Sequence, residues 1–226
     1  MLRFKNLTLI GTSHIAVQSI KEVKQVIKEV EPDVVALELD KKRLMALMST
    51  NKPQISFRDV FKMGLWTFVI NAGGAWIEEK FGRMVGVKPG TEMKTAVIEG
   101  KKVGAKLAMI DRDITITLKR LREQLTLKEK FRFVYDIFMG VVFKKGEVEK
   151  FDLTKVPSKQ LIHKLVSRVK VRYPSFYNVL IDERNKYMAK RLAALILNHP
   201  EYKIVAVIGA GHEEEMVELI KRNLYM

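Results

Sequence analysis

Two apolar, strand-like runs near opposite ends of the chain lead into the same tetrapeptide pattern. Leu7-Thr8-Leu9-Ile10 precedes Gly11-Thr12-Ser13-His14, and Ile204-Val205-Ala206-Val207-Ile208 precedes Gly209-Ala210-Gly211-His212. Each Gly-x-x-His is followed by a segment with helical spacing. A run that is apolar on both faces suits a strand of a buried parallel sheet, and strand–turn–helix units build α/β folds. In open α/β sheets, ligands bind just outside the carboxyl ends of the strands. The chain thus delivers two imidazoles, His14 and His212, to strand mouths from positions almost its whole length apart. One composite site is expected there, either a metal site or an acid–base site. The glycines permit positive φ or close approach of another group to the backbone.

The 226 residues are enough for one sizeable α/β domain with an insertion, or for two small domains. The absence of cysteine excludes disulfides, thiolate ligands and a Cys nucleophile. Met1–Asn6 has no secretory signature, and no run reaches about 18 uninterrupted apolar residues, so no membrane-spanning helix is expected. These features place the chain in the cytoplasm, or make it the soluble domain of a membrane-associated protein. The net charge is +15, with 15 Lys and Arg against 6 Asp and Glu between Ile116 and Ser175. Such an excess attracts phosphates, anionic lipid or acidic proteins. No nucleic-acid motif accompanies it, and solvated helical faces are the plainer reading.

Periodicity gives the order of elements. Leu7–Ile10 reads as a strand and Ser19–Val30 as a helix with Ser19 as N-cap and Glu22 completing a capping box. Val34–Leu39 reads as a strand, so strand, helix and strand form a βαβ unit. Lys41–Met48 is helical. The apolar, aromatic stretch from Ile55 to Phe81 suits one or two helices, and its roles could include core, a peptide groove, a dimer surface or a membrane-facing helix pair. A helix over Thr91–Glu99 should end at Gly100, followed by a strand over Lys106–Ile110. Helices are expected over Thr115–Gln124, Leu127–Phe143, Ser158–Val171 and Ser175–Leu197, with Ser175 capping the last of these after Pro174. A final strand and a helix over Glu213–Arg222 close the chain. The expected architecture is α/β, a central sheet built from both ends of the chain with a helical, basic insertion in the middle. Residues of roughly 55–105 and 115–200 form the mainly helical insertions of a single domain.

Several polar residues fall at strand ends. Glu38 sits in Ala36-Leu37-Glu38-Leu39-Asp40, and a carboxylate in a buried strand needs a charged partner or a metal. Asp40 better suits a helix cap. Asp111-Arg112-Asp113 ends the third strand, and only one of its two carboxylates should point into a site. Arg112 offers a fork for carboxylate or phosphate. Asp182-Glu183-Arg184-Asn185 lies within a long helix, where four polar residues usually mark a solvated face. Glu92 and Glu213-Glu214-Glu215 suit the first turns of helices, and His163 and His199 read as bystanders. The chain has no dinucleotide-binding or Walker loop, no nucleophile elbow and no His-Glu-x-x-His.

Taken in order, these motifs resemble the TraB/PrgY family. The matching residues are Gly11–His14 with Ser19, Val34–Asp40 with Arg43, Glu92-Met93, Asp111–Ile114 with Thr117 and Arg120, Glu183–Asn185 with Met188-Ala189, and Val207–His212. The family is similar in turn to a group containing the Tiki proteases, GumN, EreA and ChaN. The resemblance implies an EreA/ChaN-like α/β fold in which the two Gly-x-x-His motifs share one site. It also implies that His14, His212 and Glu38 are active-site residues, and it makes Arg112, Glu183 and Arg184 candidates that spacing alone does not promote. Tiki members are metal-dependent peptidases, EreA members act through His and Glu, and ChaN members bind haem. The chain departs from the family pattern in placing Glu213–Glu215 where a further Gly often follows. It also stops at Met226 without the C-terminal membrane helices of many relatives.

The expected function is a metal-dependent hydrolase acting on a peptide bond. His14, His212 and Glu38 would hold Mn, Co or Zn. Glu38 or Glu183 would act as general base, and Arg112 or Arg184 would stabilise an oxyanion or hold a substrate carboxylate. A metal-free His/Glu hydrolase would use the same residues. The alternatives are a module that sequesters a peptide without cleaving it, and a haem-binding protein. A homodimer and membrane association, through a longer protein or through residues 55–81, are further expectations.

Overall fold

The computed structural model describes residues 1–12, 17–49, 90–143 and 159–225. The expectations placed on His14, on the apolar stretch 55–81 and on the lysine-rich connection 144–158 lie outside these residues. The described chain is α/β, with a five-stranded sheet in the order β1-β2-β5-β3-β4. The strands are β1 (Leu2–Phe4), β2 (Leu7–Thr12), β3 (Val34–Leu37), β4 (Lys106–Met109) and β5 (Ile204–Gly209). All pair in parallel except β1, which runs antiparallel to β2 across the two-residue turn Lys5-Asn6. Lys5 takes a left-handed conformation in that turn, at φ 51°. The β1 strand went unread in the sequence because three residues are too few to show a period.

The βαβ expectation holds in order and direction but not in adjacency. Helix α1 (Val17–Val30) links β2 to β3, but these strands do not touch. The last strand, β5, slots between them, pairing Leu7 with Ile204 on one side and Val34 with Ile204 on the other. The sheet is therefore closed only when the end of the chain arrives. Thr12 of β2 lies opposite Gly209 of β5, which brings the ends of the two Gly-x-x-His strands side by side.

Alternation along β5 explains the two layers of helix. Ile204, Ala206 and Ile208 face one side, together with Leu7, Leu9, Val34 and Ala36, and meet Met188, Leu192 and Ile196 of α8 (Glu183–Asn198) and Met216 and Ile220 of α9 (Ala210–Tyr225). Val205 and Val207 face the other side with Val35 and Leu37. There they meet Val23 and Ile27 of α1 and Met93, Ala96 and Val97 of α3 (Thr91–Lys102). Each face buries apolar surface worth about 25 cal/mol per Å². Helix α2 (Lys41–Met48) follows β3, and α4 (Ile114–Gln124) follows β4. Helices α5 (Leu127–Phe143), α6 (Lys159–Arg172) and the single turn α7 (Pro174–Tyr177) come next. A small satellite core of Leu121, Leu125, Phe176 and Val179 joins α4 to this region, with Phe133, Tyr173 and Phe176 packed ring on ring.

Local readings of the sequence need several corrections. Helix α1 includes Val17, so Ser19 lies inside it, fully buried, rather than capping it. Helix α9 begins at Ala210, three residues earlier than expected, so His212 belongs to its first turn. Pro174 is itself the first residue of α7, while Ser175 spends its amide on Glu129 Oε1 (2.8 Å) and its hydroxyl on the Gln124 carbonyl (2.9 Å). The expected single helix from Ser175 to Leu197 is interrupted by a π-helical segment, Asn178–Asp182.

Gly100 is also misread as a terminator. It lies inside α3, which runs on to Lys102. A β-carbon there would stand 2.9 Å from Val35 Cγ2, so the glycine lets α3 press onto the sheet. Val35 is β-branched and buried, and it cannot rotate away. We expect Gly100→Ala to destabilise the fold by about 1–3 kcal/mol, because overpacking outweighs the alanine's better helix propensity. A urea midpoint that rises instead would contradict this packing.

Candidate functional site

The parallel strands β3, β4 and β5 end at one mouth, and a polar cluster fills it. Glu38 directly follows β3, Asp111 follows β4 by two residues, and His212 follows β5 by three. Glu38 is 3% exposed and Asp111 5% exposed. Charge at that depth must be met by charge. Arg184, from the first turn of α8, supplies it. Its Nη2 donates to both Glu38 Oε1 and Asp111 Oδ2, the latter at 2.8 Å, and its Nε donates to Asp111 Oδ1 at 3.1 Å. Burial works against the guanidinium charge, but Glu38 and Asp111 outweigh it and hold the Arg184 pKa above its usual value. Arg43 of α2 adds a second cation, donating to Asp111 Oδ2 at 2.9 Å.

Glu38 is also tied to β5. Its Oε2 accepts the Gly209 amide at 2.6 Å, and its Oε1 lies 3.2 Å from His212 Nε2. The other nitrogen of His212, Nδ1, lies 2.5 Å from Asn185 Oδ1. Arg184 Nη1 donates to the Leu180 carbonyl at 3.0 Å and lies 3.4 Å from His212 Nε2. The second Gly-x-x-His motif therefore contributes an imidazole and, through its first glycine, a backbone donor for Glu38. In the first motif, Gly11 has a different use. A β-carbon there would come within 2.4 Å of Glu213 Oε2, so Gly11 admits the buried Glu213 carboxylate against β2.

A second cluster adjoins the first through chain neighbours. Glu183 Oε2 accepts from Arg112 Nη1 at 2.6 Å, and Glu183 Oε1 accepts from Arg120 Nη2 at 2.8 Å and Gln124 Nε2 at 2.9 Å. Arg112 also donates to Thr117 Oγ1 and to the Val179 carbonyl, both at 3.3 Å. Hydrogen bonds from Arg120 and Arg112 overcome the desolvation of Glu183 and hold its pKa down, to about 2. The carbonyls of Val179 and Leu180 belong to the π-helical segment, whose wider turn alters the regular helical pairing, and the two arginines take them up. Single π turns inside α-helices recur at functional sites.

The sequence-derived candidates thus divide into three sets. The structure brings Glu38, His212 and Arg184 together at the strand mouth. It places Arg112 and Glu183 beside them in the second cluster, bonded mainly to each other and to α4. His14 lies outside the described residues. Of the two carboxylates flanking Arg112, Asp111 points into the mouth while Asp113 caps α4 by accepting the Thr115 amide at 2.7 Å. Asp40 caps α2 at the amides of Lys42 (2.7 Å) and Arg43 (3.0 Å) and also holds the Ile114 amide at 3.2 Å. Arg43, Asn185, Tyr177 and Glu215 were not singled out from the sequence. Arg43 and Asn185 lay within matched motifs and Glu215 within the Glu213–Glu215 run that departs from the family pattern beside His212, but nothing in the pattern around Tyr177 points to a site. Among the described residues, no three carboxylate or imidazole groups converge as a complete metal site.

The TraB/PrgY/gumN family matches residues 3–222. The chain belongs to this family. It is 36% identical over 218 residues to an uncharacterised protein of Methanocaldococcus jannaschii, covering 95% of this chain and 53% of that protein. It is 28% identical over 232 residues to the human TraB domain-containing protein, covering 90% of this chain and 60% of the human one. The chain therefore spans little more than half the length of these relatives. Over 53 residues, 22% of the chain and 11% of the relative, it is 40% identical to a protein of Nematostella vectensis named Metalloprotease TIKI homolog. Among the described residues, no helix is long and apolar enough to cross a membrane.

Two stability outcomes follow from the clusters. Arg184→Leu leaves Glu38 and Asp111 without their shared cation and should cost about 3–5 kcal/mol in urea denaturation. Arg184→Lys should recover only part of that, because a point charge cannot reproduce the fork; wild-type stability in Arg184→Leu would contradict this role. For Glu183, the folded pKa lies below the unfolded value of about 4.3. The stability it contributes is complete above the unfolded pKa and is lost as pH falls toward about 2. Glu183→Gln should therefore cost on the order of 2–3 kcal/mol at neutral pH, and its deficit against wild type should shrink through that acid window. A deficit that does not change with pH would show that the carboxylate charge is not what matters.

Proposed function

We propose that the chain is a hydrolase acting on a peptide bond, with Glu38 and His212 as its reacting pair. The observation that carries this reading is the 3.2 Å separation of Glu38 Oε1 and His212 Nε2 at the carboxyl ends of parallel strands. An imidazole nitrogen and a carboxylate oxygen that close call for a proton or a cation beside them, a role the Arg184 guanidinium fills in the metal-free protein and a metal ion would share when bound. Two ligands on one zinc ion, each about 2.0–2.2 Å from the metal in tetrahedral geometry, stand about 3.4 Å apart. Glu38 and His212 thus fit two ligands of a divalent ion in both type and spacing. His14, two residues beyond the end of the neighbouring strand β2, is the third ligand of the proposal. Neutral imidazole and carboxylate donors suit zinc, manganese and cobalt. Such an ion, when bound, lowers the pKa of a coordinated water and polarises a carbonyl.

The chain's own residues account for the remaining chemistry. Where Glu38 is not a ligand it is the proton acceptor, because Glu183, with its pKa near 2, holds a proton too weakly to serve as a base at neutral pH. Arg112 turns to Glu183 in the second cluster, whereas Arg184 Nη1 lies 3.4 Å from His212 Nε2 at the mouth, so the role of oxyanion donor is given to Arg184. Counting only Glu38, Asp111, Arg43 and Arg184, two carboxylates balance two guanidiniums. A divalent ion arriving at that balance favours an accompanying anion, such as hydroxide or the terminal carboxylate of a peptide. The short likeness to a relative named as a metalloprotease supports a peptide bond as the target.

The test combines metal content with turnover. Untagged protein loaded with zinc, manganese or cobalt should retain near-stoichiometric metal by elemental mass spectrometry, and His14→Ala/His212→Ala should lose it. Glu38→Gln and His212→Ala should each lower cleavage of a quenched-fluorescent peptide pool by about 10²–10⁴-fold with the fold intact. Cleavage without metal would leave the metal-free His/Glu hydrolase. Peptide binding without cleavage by the loaded wild type would replace the hydrolase with a sequestering module.

A further inference from the structure

Behind His212 a short polar chain runs across the interface of α8 and α9. Asn185 Oδ1 lies 2.5 Å from His212 Nδ1, Asn185 Nδ2 donates to Glu215 Oε2 at 3.3 Å, and Tyr177 donates its hydroxyl to Glu215 Oε1 at 3.2 Å. Asn185 is 1% exposed and His212 8% exposed, whereas Glu215 lies on the exposed side of α9. Residues 212 and 215 are three apart on one helix, so their side chains lie on the same face, where a single side chain from α8 can touch both.

We infer that Glu215, acting through Asn185, is a positioning residue that fixes which nitrogen of His212 carries the proton. The steps are stereochemical. An ionised carboxylate only accepts hydrogen bonds, so Glu215 must face the amide nitrogen of Asn185 and not its oxygen. That turns Asn185 Oδ1 toward His212. An amide oxygen only accepts, so His212 Nδ1 must bear the hydrogen. The neutral ring then presents a bare Nε2, which accepts from Arg184 Nη1 at 3.4 Å while the same guanidinium holds Glu38, so the two acceptors share one cation. With the amide reversed, its oxygen would face the Glu215 carboxylate, two acceptors together, while its nitrogen would require a bare Nδ1. The proton would then lie on Nε2 and be donated to Glu38, closing the pair into an ordinary hydrogen bond with no lone pair free for a ligand or a water proton. Tyr177 holds the other oxygen of Glu215, and burial together with the Glu215 charge raises the Tyr177 pKa, as expected for a phenol that stays a donor.

The tautomer matters for catalysis only if the hydrolase reading above holds, because it makes Nε2 a ligand or proton acceptor. The tautomer itself can be measured without substrate or metal. Long-range proton–nitrogen NMR spectra of chelator-treated, ¹⁵N-labelled protein, recorded above the ordinary imidazole titration range, distinguish a protonated ring nitrogen from a bare one. The chain has only four histidines, and His212→Ala assigns the signal. Wild type should show His212 protonated at Nδ1 alone. Glu215→Ala should add a population protonated at Nε2, while Glu215→Gln, which keeps an acceptor oxygen, should retain most of the original state. Asn185→Ala should reverse the tautomer, since Glu38 is then the dominant acceptor. Asn185 is buried and its loss could unfold the chain, so the exposed Glu215 variants carry the test, with the amide fingerprint as fold control. Wild-type His212 protonated at Nε2 or at both nitrogens overturns the inference, as does a Glu215→Ala spectrum identical to wild type. The expected tautomers in a protein that cleaves no peptide would leave this inference standing and remove the hydrolase reading.

Discussion

The strand mouth depends on one buried guanidinium. Arg184 bridges Glu38 at the end of β3 and Asp111 beyond the end of β4, and it approaches His212 at the start of α9. Without it, Glu38 and Asp111 would lose the guanidinium they share, and Arg43 would remain on Asp111 at the carboxyl edge of the sheet. With it, the Glu38 carboxylate is held against a guanidinium within reach of an imidazole. That permits a carboxylate to act as base or ligand in an otherwise apolar strand. The same fork ties the end of the sheet to α8, so the geometry of the pair is set by elements that also carry the core.

The second constraint is topological. Strand β5 enters between β2 and β3 and is bonded on both edges. All six of its residues lie inside. The central strand comes last in the sequence, so neither side of the sheet is complete before it docks. The second Gly-x-x-His follows directly from it. The step that completes the sheet therefore also brings His212 to Glu38, and a folded core and an assembled pair arise together. Long-range closure of this kind is entropically slow, and the strongly apolar Ile204–Ile208 run supplies the burial that offsets it.

The sheet was largely legible in the sequence, because four of its strands are apolar on both faces and each ends near a polar or glycine signal. Glu38 and His212 were legible for the same reason, since each is a chemically active residue at the end of an unmistakable strand. Asp111 was half legible: alternation said that only one of the carboxylates flanking Arg112 could turn inward, but not which. What escaped was whatever depends on contacts between distant segments. β1 is too short to have a period, and the insertion of β5 between β2 and β3 cannot be read from any local window. Gly100 looked like a terminator because a helix-breaking residue and a helix-permitted close approach to Val35 are written with the same letter. The Tyr177–Glu215 link joins α7 to α9 across 38 residues, and Glu215 taken alone reads as a surface glutamate in an early helical turn.

The run Asp182-Glu183-Arg184-Asn185 shows why such misreadings occur. Four polar residues in succession normally mean a face in water, because successive helical positions turn by about 100° and cannot all reach one neighbour. Here Asp182 pairs with Lys186 one turn on at the surface, and the other three reach three different neighbours. Glu183 turns to Arg112 and α4, Arg184 to the carboxylates of the strand mouth, and Asn185 to His212 and Glu215 on α9. The start of α8 is enclosed on several sides, so polarity all around it reflects partners all around it. The π-helical segment immediately before it adds to this arrangement, because its carbonyls at Val179 and Leu180 each accept one hydrogen bond, from Arg112 and Arg184 respectively. A polar run on a buried helix is affordable only where each member meets its own complement. That requirement turns the least hydrophobic turn of α8 into the point where three parts of the fold are held in register around the pair at the mouth.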